Sequence, residues 1–161
     1  MPLLTLQVPT PVGPLTLIEK DRALVALDWS TAGSFLGTPL LQAMAQQLYQ
    51  YFNGERRDFE FPVAPVCTPL EHRVFLALRQ IPFGQTRGYS DIARQTDSET
   101  QAVIEACRSN PIPLVIPCHR VIDDDGDLGL FEAPDGLQTK EFLLRLEGAP
   151  LARTAPAAAT A

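Results

Sequence analysis

The sequence predicts an α+β protein in two parts, a strand-rich part closed by one helix and then a mainly helical part. Three observations carry that prediction. Residues 4–29 fall into short strand-like runs. Residues 40–52 and several later stretches repeat their apolar positions at helical spacing. Between them, segment 62–69 (PVAPVCTP) holds three Pro in eight residues and reads as a linker. The chain has 161 residues, 45% of them apolar, which is enough for one domain or two small ones with real cores. The boundaries expected are 1–61, a linker at 62–69, 70–148, and a frayed tail at 149–161 that lacks periodicity.

The elements follow in order. Leu4, Leu6 and Val8 alternate with Thr5 and Gln7 and predict a strand stopped by Pro9. Leu15 and Leu17, then Leu24, Val25, Leu27 and Trp29, flank the charged Glu19–Arg22 and predict a hairpin. Leu41, Met44, Leu48, Tyr51 and Phe52 predict a helix closed by Asn53-Gly54, residue types that tolerate positive φ. Thr68-Pro69-Leu70-Glu71 is a capping box with Pro at the first helical position, and Val74, Phe75 and Leu78 are its inward residues. Pro82-Phe83-Gly84 predicts a turn. Ser90 is expected to cap a short helix over 90–95, and Ser98 another over 98–108, a pair compatible with a helix-turn-helix. The last helix is expected at 139–147, with Phe142, Leu143 and Leu146 inward and Gly148 as its stop.

Composition narrows the function. Lys+Arg number 13 against 19 Asp+Glu, a net charge of −6, which argues against gripping nucleic acid through a general positive field. No apolar run approaches the roughly 18 residues of a membrane span. The opening residues show no basic n-region or cleavage site of a signal peptide. Cys67, Cys107 and Cys118 are odd in number and lack a CxxC, which argues against a disulfide framework and fits a reducing cytoplasm. Two His without paired Cys/His spacing argue against a structural zinc site.

The informative stretch is Asn110 to Val121, NPIPLVIPCHRV. An apolar run, Ile112–Ile116, ends in Pro117-Cys118-His119. Pro117 fixes φ just before the thiol, and a potential base follows it. On the residues alone two readings stand. One is a nucleophilic cysteine whose thiolate a nearby His favours. The other is a buried structural cysteine beside a satisfied His. Cys67 and Cys107 read as structural.

The run Asn110-Pro111-x-Pro113-x-x-Ile116-Pro117-Cys118-His119-Arg120-Val121 resembles the active-site signature of the O6-alkylguanine-DNA alkyltransferases. Ile81-Pro82-x-Gly84-x-Thr86-x-x-Tyr89-x-x-Ile92-Ala93 is similar to the segment leading into that family's first DNA-facing helix. Lys140-x-x-Leu143-Leu144-x-x-Glu147-Gly148 resembles its closing helix. Thr10-x-x-Gly13-Pro14-Leu15 and Tyr51-Phe52-x-Gly54 echo its N-terminal domain. The resemblance implies a small N-terminal α/β domain of RNase H type and a C-terminal domain with a winged-helix-like helix-turn-helix. It implies a single-turnover methyltransferase that repairs double-stranded DNA by flipping out an alkylated guanine, with O4-alkylthymine as a second substrate. It implies no cofactor, no membrane and no obligatory protein partner. Cys118 would accept the alkyl group, and His119 would take its proton through a water. Glu147 would polarise His119, Asn110 would hold the turn, and Tyr89 would donate its hydroxyl to the departing guanine. Phe131, Val121 and Lys140 would line the pocket. Gln101, Ala102, Arg108, Arg94 and Ser90 would meet the duplex. Arg120 is expected in an internal ion pair.

The chain also departs from the family pattern. Gln101 stands where the family carries an arginine that enters the base stack, and Ile104 where it prefers Gly. With Glu105 and Arg108 they share one helix face. A branched residue and a carboxylate on that face oppose close approach to phosphates, leaving Arg108 as its one useful phosphate contact. The loop 129–136 is about two residues longer than the family's, as surface loops tolerate, and Pro134 in it lacks a backbone donor. Segment 123–135 holds six acidic residues and no Lys or Arg, while 82–110 carries three Arg and four acids. The run Asp123–Asp127 reads as a solvated loop. Three functions remain open: a suicidal DNA alkyltransferase with weakened DNA binding, a degenerate relative with an intact cysteine site and little repair, and a Cys/His thiol enzyme or redox protein. Against the last, no oxyanion-hole motif or resolving CxxC is visible.

Overall fold

The structure, a computed structural model, describes residues 3–151. It divides into two compact units, the first ending at Val66 and the second beginning at Cys67. The expected tail falls mostly outside the described residues. Its first part is ordered: the Ala149 amide donates to Leu144 O (2.9 Å), and Ala149 packs with Leu128 and Leu144.

The first unit is an antiparallel meander, β1 (Leu4–Val8), β2 (Leu15–Lys20) and β3 (Ala23–Asp28), with α1 (Pro39–Phe52). Leu6 pairs with Leu17, and Leu17 with Leu27, so one face stacks leucines into the core. The two-residue turn Asp21-Arg22 has positive φ at both positions, the geometry a tight hairpin demands. Thr38 caps α1 through the Leu41 amide (3.1 Å) and donates its hydroxyl to the buried Glu19 of β2 (2.5 Å). Leu41, Met44, Leu48 and Tyr51 are buried as the spacing predicts. The expected linker does not begin at Pro62. Pro62 O accepts from the Leu24 amide (2.9 Å) and Val63 bridges Leu24, because the outer edge of β3 needs partners.

The second unit contains α2 (Pro69–Arg79), β4 (Arg87–Gly88), α3 (Tyr89–Gln95), α4 (Thr100–Arg108), a 3-10 turn (Cys118–Arg120), β5 (Val121–Ile122) and α5 (Leu137–Leu146). The capping box at Thr68/Glu71 is formed in both directions. Two caps differ from expectation. Ser90 lies inside the first turn of α3, whose cap is Gly88. Ser98 closes α3 rather than opening α4. Its amide reaches Ala93 O (2.9 Å) after Asp97 turns left-handed at φ 52°, and Glu99 precedes α4.

In α5 Phe142 is 40% exposed and Leu146 half-buried, against expectation. The inward face is Lys140, Leu143, Leu144 and Glu147, spaced three and four residues apart. Two charged residues therefore define the buried stripe and turn Phe142 outward. The short parallel pairing of β4 with β5, Arg87 with Val121 and Gly88 with Ile122, ties the chain after the cysteine to the start of α3.

Candidate active site

The site is assembled from the chain between α4 and β5 and from the end of α5. Asn110 follows α4 and braces the approach to the cysteine. Its side chain accepts from the Ile112 amide (2.9 Å) and donates to Ile116 O (2.8 Å). Between them Leu114 sits at φ 73°, which costs a residue with a Cβ about 1 kcal/mol and persists because the braced turn holds it. Pro117 then enters the 3-10 turn at φ −81°. The Cys118 amide donates to Ile116 O (2.8 Å), and the Arg120 amide to Pro117 O (3.0 Å). Cys118 is thus buried in a turn whose backbone donors are engaged.

His119 is completely buried, and its Nε2 lies 2.8 Å from Glu147 Oε2. A carboxylate only accepts, so Nε2 carries the proton and Nδ1 of the neutral ring offers its lone pair. Nδ1 has no protein partner among the described residues. Glu147 caps α5 and is also held by Arg120, Nε to Oε1 at 2.8 Å and Nη2 to Oε2 at 2.9 Å. Arg120 spends Nη1 on Ile81 O (2.8 Å) and lies 5.8 Å over the Phe83 ring, so it serves the internal pair.

The titrations follow from this packing. Burial is the largest influence on His119 and pulls it below the usual imidazole value, while Glu147 pulls the other way. Burial thus favours the neutral ring over the imidazolium. Burial alone would raise Glu147, but His119 and Arg120 overcome it and hold the carboxyl well below the ordinary range. Burial pushes the Cys118 thiol up, against the Asn110 side chain and the Lys140 charge. Burial thus favours the thiol over the thiolate.

Tyr89 is buried at the start of α3, and its hydroxyl makes no hydrogen bond of ordinary geometry with the described residues. Burial raises its pKa well above the usual value, Cys107 adds to this, and the Leu130 backbone opposes it. Gly129 is required beside it. A Cβ there would stand 2.9 Å from Tyr89 Oη, and φ is +79°. Lys140 is fully buried. Its Nζ donates to Val121 O (2.5 Å) and Leu130 O (3.1 Å) and lies 5.7 Å from the Tyr89 ring centre. Burial lowers its pKa to about 8, opposed by Cys118, Cys107 and Asp123. Val121 and Phe131 are buried on either side of these contacts in the chain. Cys107, read as structural, is buried on α4, and its charge would be felt by Lys140 and Tyr89.

The expected DNA-facing residues make contacts of their own. Gln101, Glu105 and Arg108 are exposed on α4, with Ala102 and Ile104 half-buried. Gln101 Nε2 reaches Glu105 Oε1 at 3.5 Å. Arg94 pairs with Asp91, and the Ser90 amide donates to Asp124 Oδ1 (3.3 Å). Arg108 is not free: its Nε lies 3.5 Å from Glu132 Oε1, a partner the sequence does not announce because the two lie far apart along the chain. In the turn after β5 the carboxylates of Asp123, Asp125 and Asp127 converge within 4.8 Å of one another, partly exposed.

Comparison with known proteins bears on both units. Residues 7–65 match the family described as 6-O-methylguanine DNA methyltransferase, ribonuclease-like domain, and residues 69–149 match its DNA binding domain. A methylated-DNA–protein-cysteine methyltransferase of Methanosarcina acetivorans is 34% identical over 149 residues, covering 86% of this chain and 94% of that protein. The constitutive enzyme of that name from Bacillus subtilis is 35% identical over 151 residues, covering 86% and 91%. Among solved structures, Mycobacterium tuberculosis OGT in complex with DNA aligns with a TM-score of 0.79 at 34% identity, over 91% of this chain and 94% of that one. With two domain matches in order and relatives similar along most of their length, this chain belongs to the O6-methylguanine DNA methyltransferase family.

Proposed function

We propose that the protein repairs DNA by one irreversible transfer of an alkyl group from O6 of guanine to Cys118, with O4-alkylthymine as a second substrate. The S–C bond forms as the C–O6 bond breaks. The thiol proton passes to Nδ1 of His119 through a bridging water, and the imidazolium is stabilised by Glu147. Tyr89 donates a hydrogen bond from its hydroxyl to the departing base and stabilises the charge that develops there as the C–O6 bond breaks, and the base takes its proton from solvent to leave as neutral guanine. Lys140 holds the carbonyls of Val121 and Leu130, and Phe131 walls the pocket. Gln101, Ala102, Arg108, Arg94 and Ser90 meet the duplex. The observation that carries this reading is the buried His119–Glu147–Arg120 chain beside a buried cysteine, which leaves Nδ1 as a base. A cytoplasmic location belongs to the same reading and is supported by three free thiols. No helix among the described residues is long and apolar enough to cross a membrane.

The test is incubation with duplex carrying labelled O6-methylguanine. One equivalent of label on Cys118, absent in Cys118→Ala, is expected. Turnover beyond one equivalent, or label elsewhere, would overturn the reading. A second reading, a member with an intact cysteine site but little duplex repair, is favoured by Gln101, Ile104 and Glu105 on α4. It is distinguished by Cys118 alkylation with the free base O6-benzylguanine and none from duplex.

A further inference from the structure

The outer face of α4 presents one arginine, and that arginine is already engaged. Arg108 Nε lies 3.5 Å from Glu132 Oε1, and both side chains are more than half exposed. Glu132 belongs to the loop between β5 and α5. The loop's inner end is fixed at the site: Gly129 lies under Tyr89, Lys140 holds Leu130 O at 3.1 Å, and Phe131 is buried. The next residue turns outward to α4. The other long donors of this surface are satisfied in the same way, Arg94 by Asp91 and Gln101 by Glu105, but those carboxylates lie on the same helix as their partners. Glu132 joins α4 to the pocket loop.

We infer that Glu132 weakens duplex binding by competing with a DNA phosphate for Arg108, so that duplex engagement exchanges the Arg108–Glu132 contact for an Arg108–phosphate contact. This rests on the proposed function and on the duplex meeting α4. A phosphate arriving at Arg108 competes with a carboxylate that already lies 3.5 Å from its Nε, and that carboxylate then faces the phosphate backbone. The net release of counterions from that contact is close to nil, so Arg108 adds little to affinity while Glu132 is present.

A double-mutant cycle on the full chain tests this. Duplex affinity is measured across a salt series for wild type, Glu132→Gln, Arg108→Gln and the double variant, with Glu55→Gln, an exposed charge in the first unit, as the control for net charge. Gln keeps an acceptor at position 132 and lies on an exposed loop, so folding is preserved. Glu132→Gln is expected to tighten binding by about 2–5-fold at low salt, and to steepen the log–log salt slope by up to about 0.9. In the Arg108→Gln background the same substitution is expected to give almost no gain. Equal gains in both backgrounds, or an equal gain from Glu55→Gln, would show a plain field effect and overturn the inference. No gain in either background would overturn it too. Binding by no variant, wild type included, would instead remove the duplex-repair reading on which the inference stands. Measurable wild-type binding with no coupling removes the inference alone.

Discussion

The interior around His119 and the outer face of α4 lie a short distance apart in sequence and follow opposite electrostatic rules. Inside, each charge has a geometric partner: Glu147 takes two bonds from Arg120 and one from His119, with the carboxylate and imidazole shut off from solvent. Outside, Gln101, Glu105, Arg108 and Glu132 form loose contacts at 3.5 Å on exposed side chains. Buried charges are expensive to leave unpaired, so the interior tolerates little change. Exposed pairs are worth little, so the face can drift toward acid without harm to the fold. Under the proposed function, this contrast lets one chain hold its cysteine site unchanged while the outer face of α4 turns acidic.

Glu147→Gln should break the interior most severely. It leaves Arg120 buried without a counter-charge, and a loss of about 3–5 kcal/mol is expected from urea unfolding. The pH dependence should change with it. Glu147 is held below its ordinary pKa, so it binds fewer protons folded than unfolded. Its stabilisation is present above the ordinary carboxylate range and is lost as pH falls through the lower folded value. Wild type should therefore lose stability steeply in acid, and the variant should do so less.

Gly129→Ala is a smaller perturbation of the same interior. It places a Cβ 2.9 Å from Tyr89 Oη at a φ of +79°. About 1–2 kcal/mol of destabilisation is expected in the same unfolding assay. A neutral result would mean that Tyr89 is not fixed by this contact.

On the outer face, Gln101→Arg with Ile104→Gly and Glu105→Gly should raise duplex affinity by roughly tenfold and steepen its salt dependence, because one phosphate contact is added and a branched side chain and a repelling carboxylate are removed. Unchanged affinity would place the duplex elsewhere on the molecule.

The finest effect concerns Lys140, whose pKa is lowered to about 8. Folded protein then binds fewer protons than unfolded between about 8 and the ordinary lysine value, so this group makes stability rise with pH across that window. Lys140→Met should flatten that part of the stability profile. A profile that keeps its slope would assign the titration to another group.

Much of this was legible in the residues. The Thr68–Glu71 capping box, the Asp21-Arg22 hairpin and the α1 stripe are local signals, and local physics decided them. The order Tyr89, Asn110, Cys118, His119, Glu147 pointed to one cluster, and the structure brings His119 to Glu147 and Asn110 to the cysteine turn. What failed was decided by tertiary partners. Ser98 was consumed in closing α3, Phe142 was turned out by the inward Lys140 and Glu147, and Pro62–Val63 was captured by the edge of β3. Arg108 looked like a free phosphate contact because its partner comes from a loop 24 positions on, beyond the reach of helix-face reasoning.

In the proposed function the cysteine chemistry is intact and the docking is weak. Single-turnover transfer from methylated duplex to Cys118, followed against duplex concentration, separates the two. The Gln101→Arg, Ile104→Gly, Glu105→Gly variant is expected to half-saturate at a duplex concentration roughly tenfold lower than wild type, with the limiting rate unchanged. A limiting rate that rises while half-saturation stays put would contradict it.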